Sequence, residues 1–388
     1  MNRSIVLALN QFAVLPPKLA GIAGQLATGA EIVCDVKSVM HHYFLAKFGA
    51  SADDRGSYEY EGFLTDGPDW RFRGRGIGAD KESKRNVSNE LAKGLARWFF
   101  DNYLDFTYFC PFENLVGRVN DDGSRWKRAE DGDLPDYVCG RGVLEPNLLE
   151  VKGRYESVTF TAKKFSEFRA QIQRAELVDS NGASIQVKGF VSVARWATQD
   201  TPRVRTRLLV EDPATRGEQP GADGFPRAIG RAMVRGHYGP VLALLRLPLH
   251  AEAIRSGRTI VEQTGATRGI WECVGSRLKG RRFVGGLLPD GAGWGCALPW
   301  SLLNAEILGA FWHAIQWSSP FVLAPTPQFF GLEEHIMKTL LDAMRLEREP
   351  PDIPIAEVPQ DLDALSLHRD GTVLGPADYF RPIGVLRL

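Results

Sequence analysis

Cysteine is scarce and scattered: five residues, at positions 34, 110, 139, 273 and 296, with no CxxC pair among them. That spacing excludes a zinc ribbon and a disulfide framework, and it fits a reducing, cytoplasmic setting. Long apolar runs are missing too, so no stretch approaches the length needed to cross a bilayer. The N-terminal Ile5-Val6-Leu7-Ala8-Leu9 follows a single Arg3 and is soon interrupted by Asn10-Gln11 and Pro16-Pro17. It reads as a first strand or helix, not as a signal peptide. Net charge is absent as well: 47 Lys and Arg balance 47 Asp and Glu, which removes any global nucleic-acid signature. The glycines between residues 285 and 295 lack the GxxxxGK[ST] order of a phosphate loop, and there is neither an HExxH nor a recognisable nucleophile triad.

What remains is a chain of 388 residues, 44% hydrophobic and 24% charged, long enough for two or three globular domains. Composition divides it into a preamble over residues 1–64, a central domain over 65–200 and a C-terminal region over 201–388. The glycine- and proline-rich stretch 212–226 marks the last transition. Charge is unevenly spread: residues 333–370 hold ten Asp or Glu against four Lys or Arg, leaving the remainder modestly basic. Arginine knots recur at Arg71/Arg73/Arg75, Arg125/Lys127/Arg128, Arg203/Arg205/Arg207 and Arg277/Lys279/Arg281/Arg282. Gathered on one face, they would form a phosphate-contacting track. Around the first knot, Trp70 and Phe72 suit either an exposed edge strand or stacking on unpaired bases. His41 and His42 lie on a predicted helix over 36–48, where adjacent side chains diverge; surface or capping roles follow.

The densest chemistry lies in Leu134-Pro135-Asp136-Tyr137-Val138-Cys139 and Leu148-Leu149-Glu150-Val151-Lys152-Gly153-Arg154. Both runs alternate as strands do, and Gly140-Arg141-Gly142 and Pro146-Asn147 punctuate the gap. An antiparallel hairpin folded about residue 144 sets Asp136 opposite Lys152 and Val138 opposite Glu150. Opposed and alternate residues share a face, so Asp136, Glu150 and Lys152 converge on one side of the sheet. A one-residue slip would scatter them. Two carboxylates relieve their repulsion by holding a divalent cation, and Mg²⁺ accepts a few carboxylate oxygens together with waters and a phosphate oxygen. The ion polarises the phosphate and acidifies a water, while a lysine orients that water or offsets transition-state charge.

Pro135-Asp136 followed by Glu150-Val151-Lys152 resembles the motif of the PD-(D/E)xK nuclease superfamily, over roughly residues 80–195. Two further (D/E)xK matches, at Asp35-Val36-Lys37 and Glu82-Ser83-Lys84, lack a partner aspartate on an upstream strand. The resemblance implies an α/β fold with a restriction-endonuclease-like mixed β-sheet flanked by helices. An additional α+β region follows at the C-terminus. It also implies Mg²⁺, replaceable by Mn²⁺, held by Asp136, Glu150 and the Val151 carbonyl, with Lys152 assisting the attacking water. A predicted helix over residues 86–103, capped by Asn86 or Ser88, carries Glu90, which fits the acidic position such nucleases often place there. It fits the helix dipole equally. Glu113 is a weaker candidate. A basic amphipathic helix over 161–177 carries Lys163, Lys164 and Arg169 toward nucleic acid, and in the resembled family supplies a glutamine, here Gln171 or Gln173.

The resulting expectation is a nuclease acting on nucleic acid, DNA above all, in restriction, repair or antiphage defence. A homodimer or a partner docked through residues 201–388 is compatible with it. The alternative is a non-catalytic nucleic-acid-binding or scaffolding subunit that keeps the nuclease-like sheet.

Overall fold

The computed structural model describes residues 2–47, 61–214, 226–260, 267–288, 328–345, 353, 356–359 and 361–388. The chain folds as two units, divided after Pro240. The first is built on a seven-stranded mixed sheet. Its strands are β1 (Asn2–Asn10), β2 (Ala30–Asp35), β3 (Tyr108–Pro111), β4 (Tyr137–Gly140), β5 (Asn147–Arg154), β6 (Gly189–Arg195) and β7 (Arg207–Glu211). They lie in the order β2-β1-β7-β6-β5-β4-β3. The β1/β7 and β6/β5 pairs are parallel and the others antiparallel. The central strands are buried along nearly their whole length, as strands covered on both faces must be.

One face packs against α1 (Val36–Lys47) and α2 (Lys81–Leu104), in a core joining Tyr43, Leu91, Leu95 and Phe99 to Leu149, Val151, Phe190 and Val210. Asp80 caps α2 by accepting the amides of Glu82 and Ser83, so the helix begins five residues before the predicted Asn86. The opposite face receives α3 (Lys163–Gln173), whose Ile172 lies against Gly189. The predicted helix over 161–177 stops earlier because Ala175–Val178 turns into a strand of a separate three-stranded sheet, beside Arg125–Arg128 and Ser184–Ile185. Chain order in the middle of this unit is therefore helix, strand, hairpin, helix, strand, a mixed α/β arrangement.

Several expectations change here. The preamble is not separate, because β1 and β2 belong to the main sheet, and β7 carries that sheet past residue 200. Beyond the loop, α4 (Arg227–Leu244) begins in the same unit: Gly230 abuts the Val143 carbonyl, and His237 Nδ1 accepts the Phe109 amide at 3.1 Å. Trp70 and Phe72 are buried against Trp196, with ring centroids 5.9 and 5.6 Å away, so neither offers a surface for stacking bases. Between them, Arg71 donates to the carbonyls of Thr198, Thr201, Pro202 and Val204. His41 and His42 are buried, not superficial, and His42 Nε2 lies 3.4 Å from Asp101.

The second unit is α+β. Its described elements are α5 (Pro248–Ser256), β8 (Thr267–Cys273), β9 (Arg282–Leu288), β10 (Gln328–Glu333), α6 (Glu334–Arg345), β11 (Ser366–Leu367), β12 (Thr372–Pro376) and β13 (Phe380–Arg387). The strands form an antiparallel sheet in the order β11-β12-β10-β9-β8-β13 around Trp271, Phe283, Phe329 and Phe380. The apolar sequence 302–317, with Trp312, His313 and Trp317, predicts a further helix and lies outside the described residues. So do Cys296, residues 289–295 of the glycine segment, 215–225 of the loop after β7, and 350–352, 354 and 355 of the proline-rich connection. Among the described residues, no helix is long and apolar enough to cross a membrane.

Candidate active site

β4 and β5 form the expected hairpin, but pair two residues further along. Val138 lies opposite Leu148, not Glu150, and Tyr137 opposite Leu149. Extending that ladder by one residue sets Asp136 opposite Glu150, not opposite Lys152. An even shift preserves the faces, so the grouping of charges survives the change of register. The hydrophobic pattern alone cannot separate registers two residues apart.

β5 divides its side chains cleanly. Leu149 and Val151 enter the core beneath α2, so the alternation sends Glu150 and Lys152 to the other face. Glu150 is 0% exposed. The Lys152 ammonium contacts Glu150 Oε1 as an ion pair without hydrogen-bond alignment, and no donor satisfies Oε2. Asp136 stands just ahead of β4. One carboxylate oxygen accepts the Val151 amide at 2.9 Å; the other meets the ammonium of Lys93, from α2, at 2.8 Å. The Glu150 side chain is sealed from solvent, whereas those of Asp136 and Lys152 are 16% and 27% exposed. Solvent reaches the site by that side.

Electrostatics follow from this placement. Burial pushes the Glu150 carboxyl well above the usual carboxylate range, and the Asp136 charge adds to it; the ammonium groups of Lys152 and Lys93 pull the other way without offsetting it. Burial alone would depress Lys93, but Tyr137 and the Asp136 carboxylate outweigh it, and the net shift is upward. A raised carboxyl favours the native state while it carries its proton, and that contribution is lost as pH rises through the folded-state value. Glu150→Gln should therefore stabilise the metal-free protein, by a margin that widens as pH climbs above the ordinary glutamate value of 4.5. Chemical denaturation in chelator at several pH values measures it. A margin that shrinks toward alkaline pH would contradict the burial argument.

The remaining expected residues disperse. Glu90 is turned toward α1, with Oε2 3.4 Å from the Tyr43 hydroxyl and 3.6 Å from the Lys47 ammonium, so the structure does not bring it to Asp136. Among the described residues, no three His, Cys, Asp or Glu side chains gather closely enough to hold a metal ion; the acidic set is a pair, not a trio. Glu113 is exposed on the short turn Phe112–Asn114. Arg169 is not available to nucleic acid, because its guanidinium binds both oxygens of buried Glu211, at 2.6 and 2.8 Å, and the Phe160 carbonyl. Gln171 is buried with Oε1 unsatisfied, whereas Gln173 is exposed. Lys163 and Lys164 are exposed in the first turn of α3.

Sequence reasoning missed Lys93 and Glu211. Glu211 shares a row with Glu150, since Val191 pairs with both across β6. It is fully engaged by Arg169 and Asn10, and its role is structural. Lys93 had a readable signal. Asn89, Lys93 and Arg97 repeat at helical spacing beside the apolar stripe of α2, and Asn89 accepts the Gly153 amide at 2.9 Å. No protein-family model, curated protein or solved structure matches the chain.

Proposed function

We propose that the chain is a metal-dependent nuclease whose first unit carries a restriction-endonuclease-like core. The observation that carries this reading is Glu150: a wholly buried carboxylate beside a second carboxylate, with Oε2 unsatisfied and a lysine two residues on. A buried carboxylate of that kind costs stability, and a ligand for its second oxygen is what it lacks. The donor set suits Mg²⁺, which needs only one or two protein carboxylates beside water and phosphate. Asp136 and Glu150 would hold the ion. The Val151 carbonyl leaves β5 on the same edge as its amide, which already meets Asp136, and would supply a third oxygen. When bound, the ion supplies Lewis-acid polarisation of the phosphodiester and a more acidic water.

The chain's own residues do the rest. Lys152 orients the attacking water and offsets the charge that grows on the phosphate in the transition state. Lys163 and Lys164 grip flanking phosphates. Replacing both with alanine should weaken nucleic-acid binding evenly across sequences and flatten its salt dependence by about one unit of slope per lost contact. An unchanged slope in a titration from low to moderate salt would remove them from the interface. The central test is direct: purified full-length protein with Mg²⁺ or Mn²⁺ should nick or degrade DNA, and chelator should stop it.

A second reading has one observation in its favour. Each acidic group already has a lysine ammonium against it, Asp136 that of Lys93 and Glu150 that of Lys152. A non-catalytic nucleic-acid-binding subunit could retain such pairs as structure. It would bind DNA with a steep salt dependence and cleave nothing at any metal concentration.

A further inference from the structure

Asp136 has no free oxygen. Oδ2 accepts the Val151 amide, and Oδ1 meets the Lys93 ammonium at 2.8 Å. A divalent cation approaching Oδ1 meets a group of its own sign there, and two cations sharing one carboxylate oxygen repel strongly in a half-buried site. Lys93 is also equipped to move. Its side chain is 34% exposed, it comes from α2 and not from the hairpin, and its ammonium rests 5.7 Å from the Tyr137 ring centroid, a second favourable contact beside Asp136. Lys152, by contrast, extends from β5 itself and touches the buried carboxylate two residues away.

We propose that Lys93 is a resident competitor for the metal centre: its ammonium occupies Asp136 until a divalent cation displaces it. This rests on the metal-dependent reading above. The arrangement keeps Asp136 neutralised and the first unit folded when no divalent ion is bound. It sets a threshold concentration for loading, because each binding event must break an ion pair. Removing the competitor therefore strengthens metal binding, the opposite of what loss of a merely structural contact does.

Calorimetric titration of the full chain with Mn²⁺ alone tests this. Wild type should bind one ion, Lys93→Met should bind it at least about tenfold more tightly, and Lys93→Arg should resemble wild type. Glu150→Gln should abolish binding in both the wild-type and Lys93→Met backgrounds, placing the ion at this centre. Melting gives a second measure: Lys93→Met should melt lower than wild type in chelator yet gain more from saturating Mn²⁺. Equal or weaker Mn²⁺ binding by Lys93→Met, with wild type still binding through Glu150, overturns the competitor and leaves the nuclease reading standing. Absence of Mn²⁺ binding in wild type, or binding indifferent to Glu150→Gln, overturns both.

Discussion

Lys152→Ala is expected to lower metal-dependent cleavage by about a hundred- to ten-thousandfold while leaving the fold intact. The loss should fall on kcat, since the ammonium acts where charge develops and not where the nucleic acid is gripped. The fold survives for a reason visible in Glu150. Its carboxyl is already pushed upward by burial, so on losing the Lys152 ammonium it takes a proton and does not stand as a bare buried charge. Glu150→Gln should lose as much activity, yet gain stability without metal. That opposition separates a site from a structural ion pair, where both would fall together. Single-turnover cleavage at saturating Mn²⁺, with circular dichroism on the same samples, decides the matter. Activity of Lys152→Ala within about tenfold of wild type would remove the hydrolytic assignment.

How far the sequence could be read depended on the range of the interactions involved. Strand alternation in residues 148–154 is a local property, and it placed Glu150 and Lys152 on one face correctly. The hairpin register is not local. It depends on the six-residue connection between Gly140 and Asn147 and on where β4 leaves the ladder, so Asp136 was set opposite the wrong partner. Domain limits failed for a related reason. β1 and β7 are neighbours in the sheet although about two hundred residues separate them in the chain, and nothing in the composition of either announces the other. Arg169 shows the same limit at one residue. A basic side chain on an amphipathic helix reads as a phosphate contact until Glu211, from a distant strand, is found beneath it. Trp70 and Phe72 read as an exposed edge strand or a base-stacking surface because Trp196, which buries them, lies far along the chain. Lys93 is legible in the sequence, because Asn89, Lys93 and Arg97 form a polar stripe beside the apolar one of α2.

Gly153→Ala should be the most destabilising single methyl addition near the site, by about 3 kcal/mol or more. The reason is steric and not conformational. A Cβ on Gly153 would stand 1.8 Å from the Ser88 carbonyl oxygen and 2.4 Å from its carbon, both main-chain atoms of α2 that cannot swing aside. The same stretch of helix is fastened twice more, by the Gly153 amide donating to Asn89 Oδ1 at 2.9 Å and by the Trp196 indole donating to the Ser88 carbonyl at 3.1 Å. Relieving the clash therefore means lifting α2 from β5 and breaking contacts that hold it. Because Lys93 rides on that helix and Lys152 immediately precedes Gly153, the displacement reaches both lysines of the centre. Metal-dependent activity should fall beyond what the stability loss explains. Gly142→Ala is the matched control, since nothing lies within 4 Å of the added methyl, and its unfolding free energy should stay within about 0.5 kcal/mol of wild type. Urea denaturation of the two variants compares them directly. If Gly153→Ala unfolds at the same concentration as Gly142→Ala, then α2 is not seated against β5 as described, and Lys93 loses its place beside Asp136.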